Sequence, residues 1–209
     1  MLHLGCPPHS EWSVFFNSFF VLSKPFVGIV IVLDSYIFHP REGSLETKRL
    51  ILRPMLATDI DALHLIFTDP KVMASFGGEL FSYEQMERWL RRNLDHQNQF
   101  GYGLFSVILK IDGTLIGDCG LEQMEAGGQS ITELGYDFRS DNWNQGFATE
   151  AAIAVRDYAF DVLQLPELIS LIRVGNVASK RVAEKAGMKL VDEFTRYEIQ
   201  YWKYSIQQS

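Results

Sequence analysis

The sequence predicts an α/β protein of the α+β type, with a mixed, mostly antiparallel sheet flanked by helices. Short runs of alternating apolar and polar residues follow one another with only turn residues between them, which is typical of an antiparallel meander. Other segments repeat apolar residues at helical spacing. With 209 residues, 47% of them hydrophobic, the chain is long enough to bury a core as one domain.

Charge and cysteine content exclude several classes of protein. A formal net charge of −7 argues against a nucleic-acid-binding protein held by bulk electrostatics, and an acidic surface tolerates a cationic amine substrate. Cys6 and Cys119 are the two cysteines of the chain, which is too few for a disulfide framework. No Cys/His spacing is typical of zinc, so we expect no metal. A reducing cytoplasm is the expected location.

Residues 1–44 differ in composition from the rest of the chain. Trp12–Phe38 is rich in Phe, Val and Ile, but Lys24-Pro25 interrupts it and Phe26–Leu33 is too short to span a bilayer. Neither an early positive charge nor a small-residue cleavage site marks a signal peptide. A genuine extension, a weak membrane-associating segment and translation from a misassigned start all remain, and the last is favoured. We expect the domain to occupy residues 45–209 and activity to survive deletion of residues 1–44.

The first half of that domain predicts one strand and two helices. Leu45–Arg53 alternates as a strand does. Thr58-Asp59 is typical of a helix start, with Asp69-Pro70 as the stop. Ser82–Gln85 has the spacing of a capping box ahead of a second amphipathic helix. Between the helices, Ser75–Phe81 is expected to be a flexible loop.

The second half predicts a meander, a helix, and a mixed series of elements at the end. Three strands are expected around turns at Asp112-Gly113 and Gly127-Gly128: Leu104–Leu109, Leu115–Leu121 and Ile131–Phe138. A helix beginning after Gly146 is expected to end near Pro166. The remaining elements are a strand at Leu168–Val174, a short helix from Asn176 to Gly187, and strands at Lys189–Phe194 and Tyr197–Tyr204.

The stretch Asn142–Ala151 passes from a polar loop through Gly146 directly into an amphipathic helix. A helix that starts this way leaves its first backbone N–H groups without intrahelical partners. The helix dipole adds partial positive charge there, and a glycine lets a ligand approach the backbone closely. The stretch therefore suits a pyrophosphate.

Three linked blocks carry a resemblance to a known family. They are Trp143-x-x-Gly-Phe-Ala-Thr-Glu-Ala, then Asn176-x-Ala-Ser, then Glu184-Lys-x-Gly-Met, preceded by the strand Glu133–Tyr136. In this order and spacing they resemble the GNAT acetyltransferase superfamily, and more closely its RimJ/RimL-like branch of protein N-terminal and small-amine acetyltransferases. Trp143 stands where the wider superfamily usually has Gln or Arg, which favours the narrower branch. The resemblance runs from about Leu45 to the C-terminus.

The resemblance implies a site for acetyl-CoA and no metal. The backbone of five residues would hold the pyrophosphate: Gln145, Gly146, Phe147, Ala148 and Thr149. Asn176 would hydrogen-bond the pantetheine arm, and Ser179 would donate to the departing sulfur. Simple helix capping is the alternative for both residues, and the two roles are compatible. In many relatives a tyrosine seven residues after this asparagine is the general acid, but Ala183 stands there.

Glu133 is the candidate general base, because the superfamily often has a glutamate on this strand that accepts the ammonium proton. A solvent-facing strand glutamate is the alternative. Asp118 and Glu122 are other candidate bases, and Glu79 or Glu125 could attract a cation without taking part in the chemistry. Four further positions are expected to have ordinary roles: Cys119 as a buried small hydrophobe, His64 and His96 at surface or cap positions, Arg91-Arg92 at a solvated helix end, and Glu150 favoured by the helix dipole alone.

The predicted function is acetyl-CoA-dependent N-acetyltransfer, with acetyl passed directly to a primary amine in a ternary complex. The amine would be a protein N-terminus or a small molecule, and the enzyme a monomer or homodimer. A non-catalytic acyl-CoA-binding module of the same fold is the alternative. A weaker alternative is a membrane-associated protein using Trp12–Phe38.

Overall fold

The computed structural model describes residues 30–39, 42–126 and 129–208. Within them a continuous sheet has the strand order β1-β2-β3-β4-β5-β6-β7-β8-β10-β9. The strands are β1 Ile31–Val32, β2 Ile37–His39, β3 Ser44–Glu46, β4 Leu50–Pro54, β5 Leu104–Leu109, β6 Leu115–Ala126, β7 Gln129–Phe138, β8 Glu167–Arg173, β9 Lys189–Arg196 and β10 Ile199–Gln207. Neighbouring strands pair antiparallel except β7 and β8. The mixed, mostly antiparallel sheet is thus confirmed.

Helices cover both faces of the sheet. They are α1 Ile60–Phe67, α2 Pro70–Met73, α3 Tyr83–Phe100, α4 Phe147–Asp161 and α5 Val177–Lys185. Successive strand residues point to opposite faces, and Leu104 accordingly packs into the core under α1–α3. Its neighbour Phe105 packs into the larger core under α4 and α5.

The sheet extends N-terminal to the predicted start at Leu45. Strand β2 pairs with β3, with Phe38 opposite Leu45. Tyr36 and Phe38 are buried in the larger core, and the Phe38 ring lies 5.2 Å from that of Tyr158. Deletion through Ser44 would therefore remove core side chains, whereas residues 1–29 lie outside the described residues. Most of Trp12–Phe38 lies there too, and none of the helices in the described ranges is long and apolar enough to cross a membrane.

Three element predictions need correction. The predicted strand Leu45–Arg53 is the hairpin β3–β4, closed by the Thr47 N–H donating to the Leu50 carbonyl at 2.9 Å. Asp69-Pro70 does more than end α1, because Asp69 caps α2 by accepting from the Lys71 N–H at 2.9 Å and proline suits a first helical position. Helix α4 ends at Asp161 rather than near Pro166. The predicted Gly127-Gly128 turn lies outside the described residues.

Other local predictions are confirmed. Ser82 and Gln85 form the predicted capping box of α3, with the Gln85 N–H donating to Ser82 Oγ at 3.2 Å. Strand β5 has the predicted bounds, Leu104–Leu109. Asn176 caps α5, and Gly187 follows its end in a left-handed conformation with φ +87°.

Strands β7 and β8 separate toward their C-terminal ends, and a cleft opens between them. Their parallel pairing is in register at Glu133 and Ile169. Two residues later the Leu171 N–H donates to the Glu133 side chain at 3.1 Å instead of to a β7 carbonyl. Helices α4 and α5 begin just beyond the two separated ends. Ligands of α/β sheets commonly bind in such a crevice outside the strand ends.

Candidate active site

The cleft has a volume of about 840 Å³ and collects most of the residues expected from the sequence. Its walls come from β6–β10, from α4 and α5 with the residues just before them, and from residues in and near α2. The expected site residues that line it are Glu122, Glu133, Gly146, Phe147, Ala148, Thr149, Asn176 and Ser179. Gln145, Glu79 and Glu125 are exposed and do not line the cleft.

The N-terminus of α4 offers unpaired backbone donors to the cleft. Gly146 is the N-cap in a left-handed conformation, φ +82°, and no side-chain hydrogen bond caps the helix. The first intrahelical bond runs from the Glu150 N–H to the Gly146 carbonyl at 3.0 Å. The amides of Phe147, Ala148 and Thr149 thus lack intrahelical acceptors. This cradle fits the pyrophosphate of a coenzyme A thioester.

Arg49, which the sequence did not single out, braces this loop from behind. Its Nε donates to Glu150 Oε2 at 2.7 Å, and its Nη1 donates to the Gln145 carbonyl at 2.9 Å. The guanidinium carbon lies 4.3 Å from the centroid of the Phe147 ring. Arg49 therefore fixes the loop and the first turn of α4 together.

Glu150 is held by more than the helix dipole, which corrects the expectation from the sequence. Its Oε1 accepts from Thr47 Oγ1 at 2.6 Å and from the Arg49 N–H at 2.8 Å. Burial raises the pKa of Glu150, but the hydrogen bonds from Thr47 and Arg49 outweigh it and hold the pKa below its usual value. An ionised Glu150 thus ties the β3–β4 hairpin to α4.

Asn176 and Ser179 meet at the start of α5. Asn176 Oδ1 accepts from the Ser179 N–H at 3.1 Å, so capping is present. The Tyr136 hydroxyl donates to the Ser179 carbonyl at 2.8 Å and joins α5 to β7. The half-buried Ser179 side chain lines the cleft. Ala183 is fully buried in the core.

Glu133 lies where β7 and β8 part. Burial is the main reason that the pKa of Glu133 is raised to about 7. The hydrogen bond from the Leu171 N–H lowers this pKa, the nearby Glu122 and Asp137 carboxyls raise it, and Arg196 lowers it. A carboxylate with this pKa can accept a proton near neutral pH.

Asp137, which the sequence did not single out either, lies on the same face of β7. Burial, followed by the Glu122 carboxylate, raises its pKa to about 7. Asp118, one of the alternative bases, is 1% exposed and does not line the cleft. Alternation along the strand was the signal available for Asp137, because residues four apart on a strand share a face.

The remaining polar residues have structural roles. Cys119 is fully buried, and burial raises the pKa of its thiol well above the usual value. His96 Nε2 accepts from the Gln123 N–H at 2.7 Å, so its protonated Nδ1 donates to the Tyr102 carbonyl at 3.2 Å and ties α3 to β6. His64 Nε2 lies 3.0 Å from the Phe81 carbonyl.

Comparison with known proteins gives a consistent family. Residues 49–189 match the family model described as an acetyltransferase (GNAT) domain. The Bacillus subtilis (strain 168) protein YkkB, which is uncharacterized, is 38% identical over 145 residues, covering 69% of this chain and 84% of that protein. The crystal structure of an acetyltransferase from Agrobacterium tumefaciens is 30% identical with a TM-score of 0.69, covering 79% of this chain and 94% of the other.

Two further solved structures share the fold at lower identity. One is spermidine N-acetyltransferase from Vibrio cholerae in complex with CoA and spermine, 19% identical with a TM-score of 0.62, covering 76% of this chain and 95% of the other. The second is the ribosomal-protein α-N-acetyltransferase RimL in complex with coenzyme A, 17% identical with a TM-score of 0.66, covering 77% and 95%.

Proposed function

Because this chain belongs to the GNAT acetyltransferase family and is an acetyl-CoA-dependent N-acetyltransferase, we propose that it passes acetyl directly to a primary amine bound beside acetyl-CoA. One observation carries the proposal. The Glu133 carboxyl, with its pKa raised to about 7 by burial, lies in the same cleft as the uncapped N-terminus of α4. A proton acceptor and an anion cradle in one cleft suit two substrates held together.

Acetyl-CoA would lie between α4 and α5. The amides of Phe147, Ala148 and Thr149 would donate to its pyrophosphate, with Gly146 leaving room for the phosphate. Gln145 would contribute through its backbone, whose carbonyl Arg49 already holds. Acetyl-CoA supplies the acetyl thioester.

The α5 end of the cleft would receive the pantetheine arm. Asn176 would bind it while Asn176 Oδ1 also caps α5. The Ser179 hydroxyl would donate a hydrogen bond to the sulfur and so stabilise it as it leaves as a thiolate. No tyrosine is available for this step at Ala183, which is buried in the core.

Glu133 would take the proton of the acceptor ammonium. An N-terminal α-amine has a pKa of about 7.7–8.0, so a base with a pKa of about 7 suffices. A lysine amine at about 10.4 needs further help. A protein N-terminus and a small amine are both proposed acceptors. The half-buried carboxyls of Glu122, Glu133 and Asp137 in the cleft support a cationic acceptor, and the neighbours that share the fold include enzymes named for each class.

A coupled assay for free CoA tests the proposal. The full chain is given acetyl-CoA and a panel of N-terminal peptides and small amines, and we expect release that depends on the amine. Glu133→Gln should lower kcat/KM roughly a hundredfold at neutral pH and leave acetyl-CoA affinity unchanged. In the wild type, kcat/KM should rise as pH increases through about 7, since Glu133 must be ionised to act as a base.

The matched control is Glu193→Gln, an exposed glutamate on β9, which should behave as the wild type does. A normal rate for Glu133→Gln would refute the base assignment. Tight acetyl-CoA binding with no release for any amine would instead support the non-catalytic binding module.

A further inference from the structure

A row of polar side chains crosses four neighbouring strands on the face under α1–α3. Arg53 on β4 is opposite Ser106 on β5. Ser106 is opposite Asp118 on β6, and Asp118 is opposite Asp137 on β7. Directly opposed residues of an antiparallel pair project to the same face. The row therefore places two carboxyls side by side at its cleft end.

The donors of this row, Arg53 and Ser106, bind Asp59 and the Pro54 carbonyl and not Asp118. Arg53 Nη1 and Nη2 donate to the Asp59 carboxylate at 2.7 and 2.6 Å. Ser106 Oγ donates to it at 2.7 Å. Asp118 is 1% exposed, and neither of its carboxyl oxygens has a hydrogen-bond partner among the described residues. Burying a carboxylate without hydrogen-bond partners lowers the stability of the fold unless the group is protonated or a cation binds beside it.

A second pair of carboxyls lies further along the same two strands. Glu122 on β6 is opposite Glu133 on β7, and Gly120 is opposite Gly135 between the two acidic pairs. Glu122, Glu133 and Asp137 line the cleft. A methyl group built on Gly135 would meet no atom within 4 Å. The face of β7 from Glu133 to Asp137 is therefore an open trough, about 13 Å of strand in length at about 3.3 Å per residue.

Within the described ranges no cation forms an ion pair with these carboxyls, although Arg173 on β8 and Arg196 on β9 line the same cleft. None of the ion pairs there involves Asp118, Glu122, Glu133 or Asp137. Arg196 acts on the Glu133 end alone, where it lowers the pKa of that carboxyl. At the other end, burial and then the Asp137 and Glu122 charges raise the pKa of Asp118. Ionising Asp118 and Asp137 is therefore costly in the chain alone, and a cation placed beside them would favour their ionised forms.

We propose that the trough binds a linear amine with a second cationic group, placing the reacting nitrogen at Glu133 and the second ammonium at Asp137, above Asp118. The reacting end rests on the proposed function, whereas the Asp137 end rests on the unpartnered carboxyls alone. The methylene chain between the two nitrogens would cross Gly135. A peptide with a neutral backbone beyond its first residue would leave the charge at Asp118 and Asp137 without a partner.

Paired acceptors test the proposal on the full chain. We would compare α,ω-diaminoalkanes with n-alkylamines of equal length, measuring kcat/KM by CoA release. The diamines should be preferred by about tenfold or more. The preference should grow with chain length until the nitrogens can span the trough. Equal kcat/KM for both series, or a preference for peptides over every diamine, would overturn the proposal.

Substitutions at Asp118 and Asp137 test whether the preference for diamines depends on the trough. Asp137→Asn and Asp118→Asn should each lower the diamine-to-alkylamine ratio severalfold, and Asn suits position 118 because it removes an unpartnered charge. The matched control Asp112→Asn, in the exposed turn between β5 and β6, should leave the ratio unchanged and so corrects for net charge. An unchanged ratio in both trough variants would overturn the proposal.

Calorimetry separates failure of this proposal from failure of the proposed function. Diamine and alkylamine are titrated into the wild type and Asp137→Asn, each saturated with CoA. Tighter diamine binding that Asp137→Asn abolishes would support the trough even if no acetyl were transferred. Acetylation of alkylamines without tighter diamine binding would overturn the trough and leave the proposed function intact.

Discussion

At the Gly146 end of the cleft the charged groups are partnered within the chain, whereas Asp137 at the other end, and Asp118 buried beside it, form no ion pair within the described residues. Glu150 receives hydrogen bonds from Thr47 and from both the backbone and the side chain of Arg49. Asp118 receives none from the described residues. The Glu150 side chain is 18% exposed and Asp118 is 1% exposed, so the carboxyl that is more buried is also the one without donors.

Arg49 and Glu150 therefore position the backbone, whereas Asp118 and Asp137 are the carboxyls that a bound cation would neutralise. Arg49 and Glu150 satisfy each other and leave the amides of α4 as the unpaired donors, so that end suits an anion. The Asp118 and Asp137 carboxyls form no ion pair among the described residues, so that end suits a cation. One cleft therefore has ends of opposite charge preference, as acetyl-CoA and an amine require.

The largest effect is expected at Gly146. Gly146→Val adds a branched side chain at φ +82°, with its Cβ about 3.5 Å from Arg49 Nη2, where phosphate would approach the amides. Acetyl-CoA affinity should fall roughly a hundredfold or more, as measured by calorimetry. Gly113→Val is the matched control, since Gly113 has φ +75° with open space around it. Unchanged affinity in Gly146→Val would refute the cradle.

A smaller effect on acetyl-CoA binding is expected when the contacts of Arg49 with Glu150 and Gln145 are removed. Arg49→Met keeps an unbranched apolar stem but loses the bonds to Glu150 and Gln145. The KM for acetyl-CoA should rise about tenfold while the KM for the amine stays unchanged. Arg49→Lys should not rescue it, because an ammonium lacks the two-pronged geometry of guanidinium.

The exposed Arg91 on α3 supplies the control for that experiment. Arg91→Met should leave both Michaelis constants unchanged. A rise in the KM for the amine alone in Arg49→Met would contradict the role given to Arg49.

The smallest effects are expected on the free energy of unfolding. The contributions of Asp118 and Glu150 to it should depend on pH with opposite signs. Burial raises the pKa of Asp118 above 3.8, so the folded chain binds more protons than the unfolded chain and stability falls as pH rises from about 4. Asp137 and Glu133, whose pKa values are raised to about 7, act in the same direction. Asp118→Asn should therefore raise the free energy of unfolding by about 1–3 kcal/mol at neutral pH and much less near pH 4.

Glu150 provides the contrast. Its lowered pKa contributes stability that is present above about pH 4.5 and is lost as pH falls through the folded-state pKa. Glu150→Gln should therefore destabilise the protein at neutral pH and have less effect in acid. Urea unfolding of both variants at several pH values measures this, and the same sign at both ends would contradict the comparison.

The cradle end was largely predictable from the sequence because its residues lie close together in the chain. Gly146 and Asn176 each precede a helix, and helix starts have local signatures. Glu133 becomes a candidate base through the resemblance carried by Glu133–Tyr136, and its role stays a prediction. The contact between Arg49 and Glu150 was not predictable, since the two residues are 101 residues apart and no neighbouring sequence pattern marks either of them as a partner.

The acidic end depended on register, which the sequence does not reveal. The sequence makes Asp118 a candidate base, but its position opposite Asp137 is set by the β6–β7 pairing. The β3–β4 hairpin was missed because Thr47-Lys48-Arg49 contains none of the Gly, Pro or Asn residues that usually mark turns. Strands β1 and β2, with two and three residues, are too short to show a period.

An initial-rate matrix over acetyl-CoA and amine concentrations would show whether both substrates occupy the two ends of one cleft at the same time. A ternary complex requires double-reciprocal lines that intersect, and this is the result we expect. Parallel lines would mean that an acetylated enzyme forms and CoA leaves before the amine binds. That outcome would contradict direct transfer between two substrates held in one cleft.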